Sequence, residues 1–406
     1  MKYWRGYLTA AIFGAMTWAL MQFGQRFSTL VDMIYPYVIR TLQDMLATWT
    51  GTVDFCLWQV IVAALVVVVI ASVVLVIVCK WNPIQWFGWV LAGASIIFML
   101  HTLVYGLNYY AGPIAEDIRL ESYDYDLEDL TNATSYYRDQ ANALAAQVDR
   151  DGGGDVAFAD FDTLAGQAAD GFERLVYESS YSVFAGSNQP VKELGWADMY
   201  TSMGITGVTM GLTGEAAVNP QTPAVSLPFV MCHEMAHRKC IAIERDANFA
   251  AFLACQANES VEYQYSAYFM AFRYCYNALK SVNTTESSAA AARISSGVGD
   301  LLRHDLESYD AFFDGKRSAS ATRVANTVND TYLKASGDES GISSYGDVCD
   351  LLVYWHIQQI VLPTVVEEEA PFDPLDETQV DLSGIVNAKE TVPPATEAPD
   401  DEEGVG

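Results

Sequence analysis

The sequence predicts a mainly α-helical protein: three membrane-crossing helices, then a mostly helical domain with a small strand region, then an acidic tail. Three observations carry that expectation. Of 406 residues 51% are apolar, yet the formal net charge is −29, which requires the apolar and acidic residues to be segregated. They are: the apolar residues concentrate in three stretches before residue 110, and the acid lies beyond. Past that point apolar side chains recur every three or four residues, the period of a helix with one buried face. The exception is 199–227, where glycine and threonine punctuate short apolar pieces.

The first stretch, Gly6 to Gly24, carries no charge and is just long enough to cross a bilayer. No small-residue cleavage site follows where one is expected, so it reads as a retained anchor rather than a removed signal. Phe55 to Cys79 is the second span and Trp86 to Leu107 the third, with Trp81, Trp86, Trp89, Tyr109 and Tyr110 as an interfacial belt. Segment 26–54, with two arginines against three aspartates, reads as a loop. Lys2 and Arg5 precede the first span, and Lys80 sits in the short link between the second and third. The positive-inside rule then puts the N-terminus and the Lys80 turn in the cytoplasm and everything after Tyr109 outside. The expected organisation is a membrane domain, 1–110, an extracytoplasmic domain, 111–363, and a tail, 364–406.

In the domain, Leu127, Leu130, Ala133, Tyr137, Ala141 and Leu144 form one helical stripe, and Phe161, Leu164, Ala168, Phe172 and Leu175 another. "DRDGGGD" (149–155) is a loop between them. Further helices are expected over Val261 to Lys280, Ala289 to Ser308, Val324 to Ala335 and Tyr345 to Gln359. Region 199–227 should be loop with one or two short strands. Past Pro363 the chain is acidic and proline-rich and cannot bury enough surface to offset its ordering entropy. So acidic a chain, without clustered Lys and Arg, excludes nucleic acid as a partner. The seven cysteines have no regular spacing and read as buried thiols rather than a disulfide framework. Nothing in the sequence sets the oligomeric state.

Chemistry concentrates in "FVMCHEMAHRKCIAIERDANFAAFLAC", 229–255. His233 and His237 lie one turn apart on one helix face, so both reach a single metal. Glu234 points to the neighbouring face, where it can take a proton from a water. Zinc suits two neutral imidazoles and a carboxylate, with one position left open for that water. The next acid, Glu244, is seven residues past His237, a rise of ~10 Å on a straight helix. It can share the metal only if the chain bends near Lys239–Ile243. "ERDANFAAFLAC" then forms a second helix, with Glu244 in its first turn and Asn248 one turn on. Cys240, on the face of His237, is a competing donor that would close the site as a structural one. A core helix that spells the motif by chance is the remaining reading.

These residues, with "GLNYYAGPI" (106–114), "GITGVTMGLTGEAAVN" (204–219) and "YLKASGDESGISSYGDVCDLL" (332–352), resemble a bacterial family catalogued as a domain of unknown function. Its members have three N-terminal membrane spans and a C-terminal HExxH domain. The likeness spans residues 1 to about 360, and the family in turn resembles zinc peptidases of the gluzincin type. The resemblance implies a zincin-like fold, with Glu244, Ala247 and Asn248 matching the Glu-x-x-Ala-Asp/Asn setting. Glu244 would be third ligand and Asn248 a partner of a histidine outside the metal shell. It also implies that "GEAAVN" (214–219) pairs with extended substrate and that Glu215 holds a substrate amine. A Tyr, His or Arg should steady the oxyanion: Tyr345 first, because it lies in a resembling stretch, then His304 and His356. Family members usually carry glycine where this chain has Cys240.

The function expected is that of a membrane-anchored zinc metallopeptidase, with peptide or protein as substrate and the lipid bilayer as partner. A non-catalytic zinc-binding membrane sensor or scaffold is the alternative. It has no need of Glu234, whereas a peptidase does.

Overall fold

The computed structural model describes residues 4–336 and 348–363, with side chains to 334 in the first stretch. Tyr345 and the acidic tail lie outside the described residues. The chain is mainly helical, with little strand, and residues 1–360 form one unit.

Four long helices open it: α1 (Arg5–Arg26), α2 (Ser28–Thr50), α3 (Leu57–Val78) and α4 (Pro83–Val104). Two of them, α3 and α4, are long and apolar enough to cross a membrane. The expectation of three is corrected: Thr9, Thr17, Gln22, Gln25 and three glycines dilute α1, though it forms a continuous helix. Helix α1 packs along α4 in the same direction, Tyr7 donating to the Ile84 carbonyl at 2.9 Å near their starts and Gly24 lying against the Tyr110 ring at their ends. A Cβ on Gly6 would sit 2.5 Å from the carbonyl carbon of Gly88, so the two backbones touch through small residues. Segment 26–54 is corrected too, from loop to helix: α2 fills most of it.

A 3-10 turn (Gly106–Tyr110) leads from α4 into α5 (Ile114–Asp117) and α6 (Leu127–Ala145), whose start is fixed by a capping box of Asp126 and Asp129. The stripe 161–175 is broken into α7 (Phe161–Gln167) and α8 (Asp170–Tyr177). Three short strands follow with one more helix: β1 (Lys192–Glu193), α9 (Ala197–Met203), β2 (Gly207–Met210) and β3 (Glu215–Val218). Strand β3 is central, parallel to β1 and antiparallel to β2, with Gly207 opposite Val218 and Thr209 opposite Ala216.

The rest is helix: α10 (Leu227–Arg238), α11 (Glu244–Ala257), α12 (Val261–Ser281), α13 (Thr285–Ser296), α14 (Asp300–Lys316), α15 (Ala319–Ser336) and α16 (Val348–His356). The single helix expected over 289–308 is two, because Gly297 and Gly299 interrupt it. Helices α6, α10, α11, α12 and α16 enclose the core, where Tyr137, Phe252, Phe269 and Leu352 are fully buried. All seven cysteines are free, and all but Cys79 are buried.

Candidate metal centre

Helix α10 is buried over nearly its whole length, because it runs between the sheet and the core helices. It ends in a Schellman turn. Ile241 N–H donates to the Ala236 carbonyl at 3.1 Å and Cys240 N–H to the His237 carbonyl at 2.9 Å. That turn needs a left-handed residue, and Cys240 supplies it at φ 73°, the position where glycine carries no penalty. The bend required to bring Glu244 back is therefore made, and α11 starts at Glu244 itself.

Three donors converge across this corner. His233 Nε2 lies 3.1 Å from His237 Nε2, and Glu244 Oε2 lies 3.3 Å from the first and 3.6 Å from the second. In a tetrahedral zinc shell with bonds of ~2.0–2.2 Å, neighbouring donors stand ~3.3–3.6 Å apart. The triangle is thus the base of such a shell within a few tenths of an ångström. Glu244 Oε2 is buried and meets neither imidazole with hydrogen-bond geometry, an orphan that a cation at the centre would satisfy. His237 Nδ1 lies 2.8 Å from the Ile241 carbonyl. A carbonyl only accepts, so in the neutral ring Nδ1 carries the proton and the Nε2 lone pair points at the centre. One left-handed residue thereby sets both the return of Glu244 and the tautomer of His237.

The electrostatics follow from burial. Burial pushes Glu244 up, but the imidazoles of His237 and His233 outweigh it and hold the carboxyl well below the usual range. Burial lowers His237, and Glu244 and Glu234 more than reverse that. Burial pushes Glu234 above the ordinary carboxylate value against the pull of both histidines and of Thr209. Two carboxyls and two imidazoles in a buried site favour a bound cation.

Glu234 does not join the donor triangle. Its Oε2 accepts from Thr209 Oγ1 at 2.7 Å, and Thr209 also donates to the Glu234 carbonyl. The carboxyl lies against β2, where a Cβ on Gly207 would come within 2.4 Å of Oε1. Cys240, the competing donor, is outside the triangle, and burial pushes its thiol up to about 12, far from the thiolate that zinc needs.

Other expected positions fall differently. Asn248 accepts from Tyr274 Oη at 3.2 Å, and neither its Nδ2 nor His233 Nδ1 has a partner, so the expected bond to a histidine is not made. Glu215 is corrected: it is buried, 2.8 Å from Lys192 Nζ, and accepts from the Leu57 and Trp58 amides at 2.7 and 2.8 Å. It caps α3 instead of meeting a substrate. "GEAAVN" cannot pair with substrate either, since β3 is covered on both sides and β2 is the strand beside Glu234. His304 pairs with Asp155 at 2.9 Å and His356 packs against Tyr136; neither joins the cluster.

Sequence reading missed four supporting residues. Thr209 bonds Glu234 and Gly207 leaves room for its carboxyl. Tyr105, directly after α4, donates to the His237 carbonyl at 3.2 Å, and burial keeps its phenol protonated. Arg40 of α2 donates through Nε to the Lys239 carbonyl at 3.2 Å. None carries a local signal, because each reaches the corner from a distant segment.

No curated protein and no solved structure matches the chain significantly. Among family models, that of a protein of unknown function, DUF3810, matches residues 31–353. The matched region takes in most of α2, the sheet and the α10–α11 corner together, and the chain belongs to the DUF3810 family.

Proposed function

We propose that this protein is a membrane-anchored zinc metallopeptidase of the gluzincin type, with its helical domain outside the cytoplasm. The observation that carries the reading is a three-donor triangle at zinc spacing, next to a separate buried carboxyl held by a strand. A closed structural site has no use for that fourth group. His233, His237 and Glu244 would hold the ion, which supplies a Lewis acid that acidifies a water and polarises a carbonyl. Glu234 takes a proton from the attacking water and delivers it to the leaving amine. Thr209 fixes its direction. Strand β2 pairs only with β3 among the described residues, so its other edge supports an extended peptide by backbone hydrogen bonds. Helices α3 and α4 anchor the chain, with the Lys80 turn on the cytoplasmic side.

The test is metal analysis by mass spectrometry on the full-length protein in detergent, with cleavage of a quenched mixed-sequence peptide library. One zinc per chain is expected, weakened sharply in Glu244→Ala. Glu234→Gln should keep its zinc and lose ~10²–10⁴-fold in turnover. Folded protein without zinc sinks the reading. Zinc with no cleavage in the unsubstituted protein replaces it with the sensor.

A further inference from the structure

Among the described residues, the face of α2 away from the domain is largely apolar and exposed. Leu30, Met33, Ile34, Tyr37, Val38, Met45 and Trp49 are all exposed along it, with Thr41, Asp44 and Thr48 exposed among them. The opposite face holds polar groups that bind the protein. Arg40 grips the end of α10, Gln43 donates to the Val104 and Gly211 carbonyls, and Asp32 accepts from the Gly112 amide. Val31, Pro36, Ile39 and Ala47 also pack inward, so apolar residues lie on both faces of the helix, and an exposed apolar patch of that extent marks an interaction surface.

The neighbours of α2 say what covers it. Helix α2 begins two residues after α1 ends and stops seven residues before α3 starts. The end of α1 lies at Tyr110, just past the end of α4, and Tyr35 in α2 donates to the Leu103 carbonyl in the last turn of α4. Both ends of α2 are thus at the level where α3 and α4 leave the domain. Helix α4 has 22 residues, a length of ~33 Å, against a hydrocarbon core of ~30 Å. The span is used up in crossing, and Tyr105, the next residue, is already bonded to His237. At the other helix, Glu215 on β3 caps α3 without a linker. A helix at that level with a largely apolar outer face lies in the headgroup layer with that face toward the acyl chains.

We propose that the metal centre works at the bilayer surface, held at fixed height by α2 lying in the headgroup layer, and that its substrates are chain segments just emerging from a membrane span. The substrate class rests on the peptidase reading above; the placement of α2 does not. A centre on so short a mount meets peptide bonds close to a span and misses bonds held far above it.

The test uses the full chain in phosphatidylcholine–phosphatidylglycerol nanodiscs. For placement, Val38→Cys on α2 and Ala289→Cys on α13, which packs on α6 and α12, are each labelled with an environment-sensitive dye in a Cys79→Ser background. Lipids brominated near the glycerol end should quench the Val38 label strongly and the Ala289 label little. Equal quenching overturns the placement. For substrate, one mixed-sequence library is fused directly after a single-span helix, or after the same helix and a rigid folded spacer. Direct fusions should be cut at least tenfold faster. Equal rates overturn the substrate class and leave the peptidase standing. If neither library is cut and the protein holds zinc, the peptidase reading fails and takes the substrate class with it, while the quenching result still decides the mount.

Discussion

At position 207 a side chain and the Glu234 carboxyl compete for one volume. Glu234 reaches across to β2, and its carboxyl occupies the space a Cβ on Gly207 would fill. Thr209, on the same face of that strand, then receives the carboxyl in a hydrogen bond. Gly207→Ala is compatible with an extended strand, so the sheet should survive and the carboxyl should move. The expected result is unchanged zinc content and a fall in turnover approaching that of Glu234→Gln, read from metal analysis and library cleavage on one preparation. Loss of zinc together with turnover would show that the strand, rather than the carboxyl, had given way. His233, Glu234 and His237 were legible in the sequence because helical period orders them, and Glu244 because it is the next acid, seven residues on. Gly207, Thr209 and Tyr105 were not, since only the fold brings them to the corner.

At the scale of the element, the turn between α10 and α11 controls the site through one residue. Cys240 takes the left-handed conformation, which costs an L-residue ~1–2 kcal/mol, and a β-branched side chain tolerates it worse. Cys240→Gly should therefore leave zinc affinity intact. Cys240→Val should weaken it beyond the ~10–100-fold typical of losing an outer partner, because Ile241 would leave His237 and Glu244 would leave the centre. Competition with a chromogenic chelator measures both. Equal affinities would remove the turn from the account. The sheet makes a second element-scale claim. Glu215 and Lys192 form a buried pair that also ties α3 to β3. Breaking such a pair costs ~3–5 kcal/mol. Glu215→Gln should lower the melting temperature by ~5 °C or more without changing KM for a peptide substrate; a raised KM with unaltered melting would restore the substrate-amine role. The element that sequence reading lost altogether was α2. Its outward residues are largely apolar while Arg40, Gln43 and Thr50 are buried against the protein, so the polar outer stripe that marks a helix in water is missing.

At the scale of the molecule, the opening helices and the domain that carries the candidate site are not joined by a linker. Arg40 holds the Lys239 carbonyl, Tyr105 holds that of His237, and Lys192 donates to the Thr50 and Phe55 carbonyls. Tyr105, Tyr109, Ala242 and Leu333 share one small apolar cluster beside the corner. The expected boundary at residue 110 would cut through all of these contacts. A fragment of residues 111–363 would lose the donors to two carbonyls at the α10–α11 turn. It would also leave the fully buried Lys239 without the α2 helix above it. It should keep the α6, α11 and α12 core, whose contacts lie within the fragment, and show helical circular dichroism. Zinc should bind at least tenfold more weakly than in the full-length protein, because the turn that orients His237 and returns Glu244 has lost its support. Isothermal titration of both proteins in the same detergent decides it. Equal zinc affinity would mean that the corner stands on its own sequence and that the first four helices serve only as an anchor.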